Sequence, residues 1–180
     1  MKVEITYGQE NLDKIARFRV FCYEHSPYSE KINFKNYPDG LTDELDHKSY
    51  HFLVYSAEKL IGSARLTLLN RLAEIPYIQE FDSVAEIDSE EPFWFYSRLA
   101  VDQSFRMNGV GRMLDESRFD FMESKKKSVR EVWMIAKEWR VPQLIKLGCH
   151  VVQIQGQSPE SVYPFSTLDD IYLLKASIEL

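Results

Sequence analysis

The chain has 180 residues, of which 44% are hydrophobic and 13% aromatic, and this is enough apolar material for one packed domain over residues 1–180. A formal net charge of −6 disfavours nucleic acid as a partner. No apolar stretch is long enough to span a bilayer and the first residues lack a signal-peptide core, so we expect a cytoplasmic protein. Two cysteines, Cys22 and Cys149, form no zinc-site spacing, and we expect no bound metal.

Apolar periodicity predicts elements in the order β, α, ββ, β, α, β, α, ββ. The strands are predicted at Lys2–Thr6, His51–Tyr55, Leu60–Leu69, Phe93–Val101, Val132–Ala136, Val151–Ile154 and Ile171–Ile178. The helices are predicted from a cap at Gln9 or Asn11 to about Tyr23, from Val110 to about Lys125, and between Pro142 and Gly148. A short turn at Glu58-Lys59 predicts an antiparallel hairpin. This order is typical of a mixed α/β layered fold, with helices covering a largely antiparallel sheet.

The segment SRLAVDQSFRMNGVGRML, residues 97–114, runs from a predicted strand end into a predicted helix. Gly109 and Gly111 lie at this junction, where glycine permits positive φ and close approach of the backbone to a ligand. The first turn of a helix has unpaired N–H groups and a positive dipole end, which suit phosphate or pyrophosphate. Arg106 and Arg112 add positive charge there. A tight turn without a ligand explains the two glycines, taken alone, at least as well.

Two known phosphate-binding loops do not fit this segment. The dinucleotide fingerprint G-x-G-x-x-G fails because its third glycine falls on Leu114. The P-loop pattern G-x-x-x-x-G-K-[ST] does not occur in the chain.

The longer string LAVDQSFRMNGVGRML resembles the acyl-CoA-binding motif of the GNAT superfamily, [RQ]-x-x-G-x-[GA] after a strand ending in L-x-V. The matching positions are Arg106, Met107, Asn108, Gly109, Val110 and Gly111. LIKLGC at 144–149 resembles the superfamily's late LYEKLGF segment, so the resemblance covers about residues 50–155. It implies the GNAT fold, a mixed and mostly antiparallel sheet of six or seven strands flanked by helices. It also implies that the loop holds the CoA pyrophosphate, and that the backbone of Leu99, Ala100 and Val101 pairs with the pantetheine arm.

A second resemblance lies upstream, in TDELDHKSYHFLVY and IGSARLTLL. These segments resemble N-acyltransferases that use long acyl chains on a carrier protein, among them N-acyl amino acid synthases, ornithine-lipid acyltransferases and acyl-homoserine-lactone synthases. Their pattern D-x-x-D, strand, G-x-x-R-L falls on Asp43, Asp46, Gly62, Arg65 and Leu66.

The lactone synthases supply further matches and two mismatches. Their R-x-x-x-F and S-R pairs fall on Arg17 with Phe21 and on Ser97 with Arg98. Their glutamate three residues before that arginine is Phe95 here, and their N-terminal-loop tryptophan has no counterpart, although Tyr28 lies nearby. Lactone synthesis from S-adenosylmethionine is therefore the weaker option.

The charged residues of this pattern allow two interpretations. Arg65 and Arg98 are predicted within strands, where a charge is costly unless it is paired. Asp43, Glu44 and Asp46 are candidate partners. Either they form a structural ion cluster that pins the loop to the sheet, or they form a polar pocket for the carboxylate of an amine substrate.

Acyl transfer from a thioester to an amine requires a neutral amine, a donor to the oxyanion and a route for the thiolate to leave. The superfamily's frequent tyrosine acid falls on Leu144, which leaves Tyr96, Glu138 and Tyr163 as candidates. The catalytic assignments made from the sequence are Arg98, Arg65, Asp46 and Tyr96.

The sequence thus predicts an N-acyltransferase that moves an acyl group, acetyl first, from acyl-CoA to the primary amine of a small molecule. One alternative is an acyl-carrier-protein-dependent N-acyl amino acid or lipid acyltransferase, which the basic segment Lys125–Arg130 suits because carrier proteins are acidic. Another is a non-catalytic acyl-CoA sensor. A homodimer is a further expectation.

Overall fold

A computed structural model describes residues 1–26, 29, 34–76, 78–81, 91–125, 129–155 and 171–177. Its principal elements are β1 (Lys2–Tyr7), α1 (Leu12–Glu24), β2 (Ser49–Ser56), β3 (Lys59–Leu69), β4 (Phe93–Val101), α2 (Val110–Ser124), β5 (Glu131–Lys137), α3 (Val141–Lys146), β6 (His150–Gln155) and β7 (Ile171–Ser177). The strands form a seven-stranded sheet in the order β1-β2-β3-β4-β5-β7-β6. The predicted mixed α/β fold with a sheet of six or seven strands is confirmed.

The chain divides into two compact units, and the expectation of one domain over residues 1–180 stays a prediction. The first unit comprises Met1–Thr67 and Ser97–Phe121, and the second comprises Leu68–Tyr96 and Met122–Leu180. None of the helices in the described ranges is long and apolar enough to cross a membrane.

In the first unit, β1, β2 and β3 form an antiparallel ladder. Its core is a cluster of buried side chains from α1, the strands and the end of β4: Ile15, Phe18, Cys22, Leu53, Leu60 and Ala100. The β2–β3 turn is at Ala57-Glu58, one residue earlier than predicted, because Ser56 pairs with Lys59. Ala57 takes the positive φ of 52° that this tight turn requires. Asn11 precedes α1 as predicted, but its side chain forms no capping hydrogen bond.

In the second unit, β5 pairs in parallel with β4 from Trp94 to Tyr96 and in antiparallel fashion with β7, which also pairs with β6. Pro142 lies in the first turn of α3, and Gly148 has a φ of 87° just beyond the C-cap residue Leu147, both as predicted.

Helix α2 packs closely on β3 at a single glycine. A Cβ atom at Gly62 would lie 2.6 Å from Val110 Cγ1 and 3.1 Å from Leu114 Cδ1. Val110 and Leu114 are themselves buried. The first turn of α2 is therefore fixed against the sheet, and the turn that precedes it is fixed as well.

Candidate active site

The glycine junction of the sequence is an exposed turn between β4 and α2. Asp102 accepts a hydrogen bond from the Ser104 amide at 2.9 Å and forms an ion pair with Lys59 at 2.8 Å, so the start of the turn is anchored. Residues 106–109 are exposed, and Met107 and Gly109 have φ values of 64° and 78°. At these two residues the backbone changes direction just before α2 begins.

The space over this turn is open. In the described part of the chain, a Cβ atom at Gly109 would meet nothing within 4 Å, and one at Gly111 would meet Val101 Cγ2 at 4.0 Å. Internal packing therefore leaves room for a Cβ atom at either position. Positive φ explains the glycine at 109, but packing supplies no reason for the glycine at 111.

Backbone donors are available at the same place. The Met113 amide donates to the Gly109 carbonyl at 2.9 Å, which closes the first helical turn. The amides before Met113 belong to the helix start, which lacks carbonyl partners one turn earlier and carries the positive end of the dipole. Arg106 is exposed beside them. Arg112 is 82% exposed and pairs with Glu116 at 2.7 Å.

A second feature of the first unit is a chain of alternating guanidinium and carboxylate groups. Arg19 of α1 donates to both oxygens of Asp46, at 2.9 and 3.0 Å. Arg65 of β3 donates to Asp46 at 2.9 Å and also to Asp43. Arg98 of β4 donates to Asp43 at 2.6 and 3.2 Å. We call these five residues the Arg/Asp network.

Buried polar groups below the network support its backbone. Arg118 of α2 donates to the Arg65 and Ser97 carbonyls at 3.3 Å each. Asp115 accepts from the same guanidinium at 2.8 Å. Ser97 accepts from Arg65 Nε at 3.0 Å. The two strands that carry Arg65 and Arg98 are therefore tied to one helix.

The loop that supplies the two aspartates is held against α1. The Leu41 amide donates to the Ala16 carbonyl at 3.1 Å, and the Leu41 carbonyl accepts from Arg19 at 3.1 Å. Gly40 has a φ of 121°, and a Cβ atom there would lie 2.7 Å from the Ala16 backbone. The Asp43 amide donates to Asp46 at 2.9 Å, which orients both carboxylates toward the arginines.

The electrostatics of the network favour ionised carboxylates. Burial alone would raise the pKa of Asp46, but Arg19 and Arg65 outweigh it and hold that pKa at about 2. Arg98 and Arg65 likewise outweigh burial and hold the pKa of Asp43 well below its usual range. Among the described residues, three guanidinium groups thus share two carboxylates.

His51 lies beside the network. Its side chain is fully buried, with Nε2 3.0 Å from the Asp46 carbonyl. Burial is the main cause that lowers the pKa of His51, and the positive charge of Arg19 is the second. The imidazole is therefore neutral at pH 7. Its contact with the carbonyl makes Nε2 the donor.

Arg98 occupies a strained position in β4. Its φ is 55°, in a strand where extended backbone is the rule. The two hydrogen bonds to Asp43 anchor the side chain of this residue. The register of β4 with β5 covers Trp94–Tyr96, so residues from Ser97 onward lie outside it.

The structure brings together three of the four catalytic residues assigned from the sequence, Arg98, Arg65 and Asp46. The fourth, Tyr96, belongs to the second unit, where it is 4% exposed. Glu44 is exposed and has no place in the network. Leu144 is buried and Glu138 begins a short 3-10 helix, whereas Tyr163 and Tyr28 lie outside the described residues.

Sequence analysis missed Arg19, the third arginine of the network. The R-x-x-x-F match pointed to Arg17 and Phe21, but both of these side chains are exposed on α1. The spacing of Arg19 four residues after Ile15 and three before Cys22 was a usable signal, because it places a charge within the buried stripe of the helix. Arg118 gives the same signal in α2, four residues after Leu114.

Solved structures share this fold at low identity. BjaI, a CoA-dependent acyl-homoserine lactone synthase in complex with SAM and isopentyl-CoA, has a TM-score of 0.68 at 14% identity, covering 98% of this chain and 83% of that chain. FeeM, an N-acyl amino acid synthase from uncultured soil microbes, has a TM-score of 0.65 at 10% identity, covering 98% and 90%. NAA60 of Arabidopsis thaliana, in complex with acetyl-CoA, has a TM-score of 0.60 at 14% identity, covering 98% of this chain and 99% of that chain. These identities establish a common fold.

A match to a family sequence model identifies the chain as an N-acyltransferase. The sequence model of the acetyltransferase (GNAT) family matches residues 11–144, which is well over half of the chain, and the protein belongs to that family. The superfamily resemblance of the sequence is thereby confirmed. A search of curated protein sequences finds no significant match.

Proposed function

We propose that this protein transfers an acyl group, acetyl in the first instance, from acyl-CoA to the primary amine of a small molecule that carries a carboxylate. The open space over Gly109 and Gly111 at the start of α2 is the observation that carries this proposal. A glycine at 111 has no packing reason, and a ligand whose phosphates approach the backbone supplies one.

The residues of the turn fit the CoA pyrophosphate. The amides from Gly109 to Arg112 supply donors and the helix dipole supplies positive potential. Arg106 and Arg112, both exposed, add charge that can follow the phosphates. The backbone of Leu99, Ala100 and Val101, at the end of β4, is the proposed partner of the pantetheine amides.

When acyl-CoA is bound, its thioester supplies the reactive acyl carbon for attack by the amine. The chain's own contribution is orientation, because fixing a reactive thioester and an amine in one geometry removes much of the barrier. Arg98 is proposed to orient the acceptor through its carboxylate. It is the network arginine that retains exposed surface, 10% against 1% for Arg19 and Arg65.

Tyr96 is the proposed acid that protonates the leaving thiolate. If it serves as the acid, Tyr96→Phe should lower kcat by about a hundredfold or more. The same loss of a hydroxyl should leave acetyl-CoA binding unchanged.

A second candidate function is acyl-carrier-protein-dependent synthesis of N-acyl amino acids. The observation that favours it is that Asp43, Asp46 and Arg65, from the carrier-protein-branch pattern, join one network with Arg98, from the S-R pair of the lactone synthases. This second function differs from the first in the acyl donor, a carrier protein, and in the length of the acyl chain. Both functions use an amine that carries a carboxylate as acceptor.

The test is release of free thiol from acetyl-CoA, decanoyl-CoA and decanoyl-carrier protein with a panel of amino acids and their decarboxylated amines. The first candidate predicts turnover with acetyl-CoA and a preference for amino acids. Turnover with the carrier-bound or decanoyl donor alone would favour the second. Binding of acyl-CoA without turnover of any amine would contradict both and indicate a sensor.

Arg98→Lys tests the acceptor assignment. Lysine keeps the charge but loses the paired donors, so we expect KM for amino acids to rise at least about tenfold while KM for acetyl-CoA stays constant. Arg17→Lys, exposed on α1 and outside both the turn and the network, is the matched control for a guanidinium-to-ammonium change. An equal rise in KM for decarboxylated amines would contradict carboxylate recognition.

A further inference from the structure

Strand β1 forms one edge of the seven-stranded sheet, and no described strand pairs with its outer side. Open edges present unpaired backbone groups, and proteins normally protect them. Three large hydrophobic side chains at this edge are exposed in the described chain: Met1 by 66%, Ile5 by 45% and Tyr7 by 54%. A groove of about 750 Å³ runs beside Met1–Ile5, with Tyr55 and the Ala57-Glu58 turn as its other lining.

The register identifies which backbone groups point outward. The Gly8 amide donates to the Ser49 carbonyl at 3.0 Å, so the pair that continues the β1–β2 ladder beyond Tyr7↔Tyr50 is a hydrogen-bonded pair. Pairs alternate along an antiparallel ladder, and the β1–β2 register is regular from Lys2 to Tyr7. Lys2, Glu4 and Thr6 therefore bond inward to β2. The N–H and C=O groups of Val3 and Ile5 point outward.

We propose that β1 is a homodimer interface, in which β1 of a second copy pairs in antiparallel fashion about a two-fold axis at Val3. A two-fold axis makes the interface self-complementary, so each residue i meets residue 6 − i of the other copy. Val3 then meets Val3 through its outward backbone groups. Met1 meets Ile5, so these two exposed side chains cover each other.

Charge complementarity selects this register and this partner. With the axis at Val3, Lys2 lies opposite Glu4 of the second copy, and Glu4 lies opposite its Lys2. These are non-hydrogen-bonded pairs, in which facing side chains approach most closely. Within the chain, the β2 residues opposite Lys2 and Glu4 are the uncharged Tyr55 and Leu53. Moving the axis to Ile5 would place Glu4 opposite Thr6 and lose both ion pairs. A second copy thus fits the edge with two symmetric ion pairs.

The test is sedimentation velocity of the full chain over a wide concentration range, with two charge reversals. Lys2→Glu places glutamate opposite glutamate, and Glu4→Lys places lysine opposite lysine. Each should raise the dimer dissociation constant at least about tenfold, because two favourable pairs become two repulsive ones. An equimolar mixture of the two variants should dimerise again, since every facing pair is then of opposite sign. This rescue separates an interface from a folding defect.

Two further variants complete the design. Val3→Pro removes an outward N–H that β2 does not use and should give a monomer. Val151→Glu, at the opposite sheet edge in β6, should leave the dimer intact. Dimers that survive all three β1 variants, or a mixture that stays monomeric, would overturn the proposal. A wild-type protein that is monomeric at every concentration would also overturn the proposal. The groove beside β1 would then be a binding site for a different polypeptide.

Discussion

Arg19 and Asp46 form a two-point ion pair in which neither side chain has more than 1% of its surface exposed. Asp46 also accepts from Arg65, so one carboxylate is the shared counter-charge of two buried guanidinium groups. A buried pair of this kind is weak evidence of net stabilisation, but removal of one partner leaves the other charge uncompensated. The network is therefore sensitive to loss of its central carboxylate.

Asp46→Asn should destabilise the protein strongly, by about 3 to 5 kcal/mol, because Arg19 and Arg65 lose their shared counter-charge. The free energy of unfolding from urea titration measures this. Glu116→Gln is the matched acid-to-amide control on the exposed Arg112 pair and should change stability by less than about 1 kcal/mol. A similar, small effect of both changes would show that the network is not electrostatically coupled.

Stability should fall as the pH drops below about 6.5, because the pKa of His51 is lowered by burial and by Arg19. In this range the unfolded chain binds a proton at His51 that the folded chain does not, so the free energy of unfolding decreases with falling pH. The slope contributed by this residue is at most about 1.4 kcal/mol per pH unit. His51→Gln should flatten the stability profile between pH 7 and 5, and an unaltered profile would contradict the assignment.

A second acid-dependent loss should follow at lower pH. The pKa values of Asp43 and Asp46 are depressed by their arginine partners, so their contribution is complete above the unfolded value near 4. It is lost as the pH falls from about 5 toward 2, where the folded carboxyls take up protons. Asp43→Asn should reduce the steepness of acid unfolding in this lower window, as measured by circular dichroism. Steepness equal to that of the wild type would exclude its ionisation as a cause.

Glycine at 62 is required by packing, whereas glycine at 111 is not. Gly62→Ala would force a methyl group 2.6 Å from Val110 Cγ1 and should cost about 1 to 3 kcal/mol. Gly111→Ala has room in its helix and should be neutral or stabilising by up to about 1 kcal/mol. Thermal unfolding of both variants checks the contrast. If Gly111→Ala destabilised the protein as much as Gly62→Ala, the open space around Gly111 would not describe the constraint on the start of α2.

Cys22 should be inert toward thiol reagents in the folded protein. Burial is the main cause that raises the pKa of the Cys22 thiol to about 12, and the negative charge of Asp102 is the second. The side chain is also nearly inaccessible to solvent. Ellman titration at pH 8 should show no reaction at Cys22 until denaturant is added. Rapid modification in the native state would indicate that α1 opens locally.

Local patterns predicted the fold well, because β4, with its run FWFYSRLAV, and the strand-to-helix glycine turn are determined by neighbouring residues. The β2–β3 turn was misplaced by one residue, since a non-glycine, Ala57, adopts the positive φ. Arg19 was missed because its partner is 27 residues away in sequence. The partner of Arg98 is likewise distant, 55 residues away in sequence, and no local pattern encodes the pairing.

Titration calorimetry with acetyl-CoA tests the central claim most directly, with wild type, Gly111→Trp, Gly109→Ala and Gly148→Ala. Gly109 and Gly148 both have positive φ and open surroundings in the described chain, so alanine should strain them alike, by about 1 kcal/mol or more. We predict that wild type and Gly148→Ala bind acetyl-CoA, that Gly109→Ala binds it weakly, and that Gly111→Trp, although folded, does not bind it. Repetition with decanoyl-CoA reports on acyl length. Unimpaired binding by folded Gly111→Trp would contradict the claim that the start of α2 holds the CoA pyrophosphate.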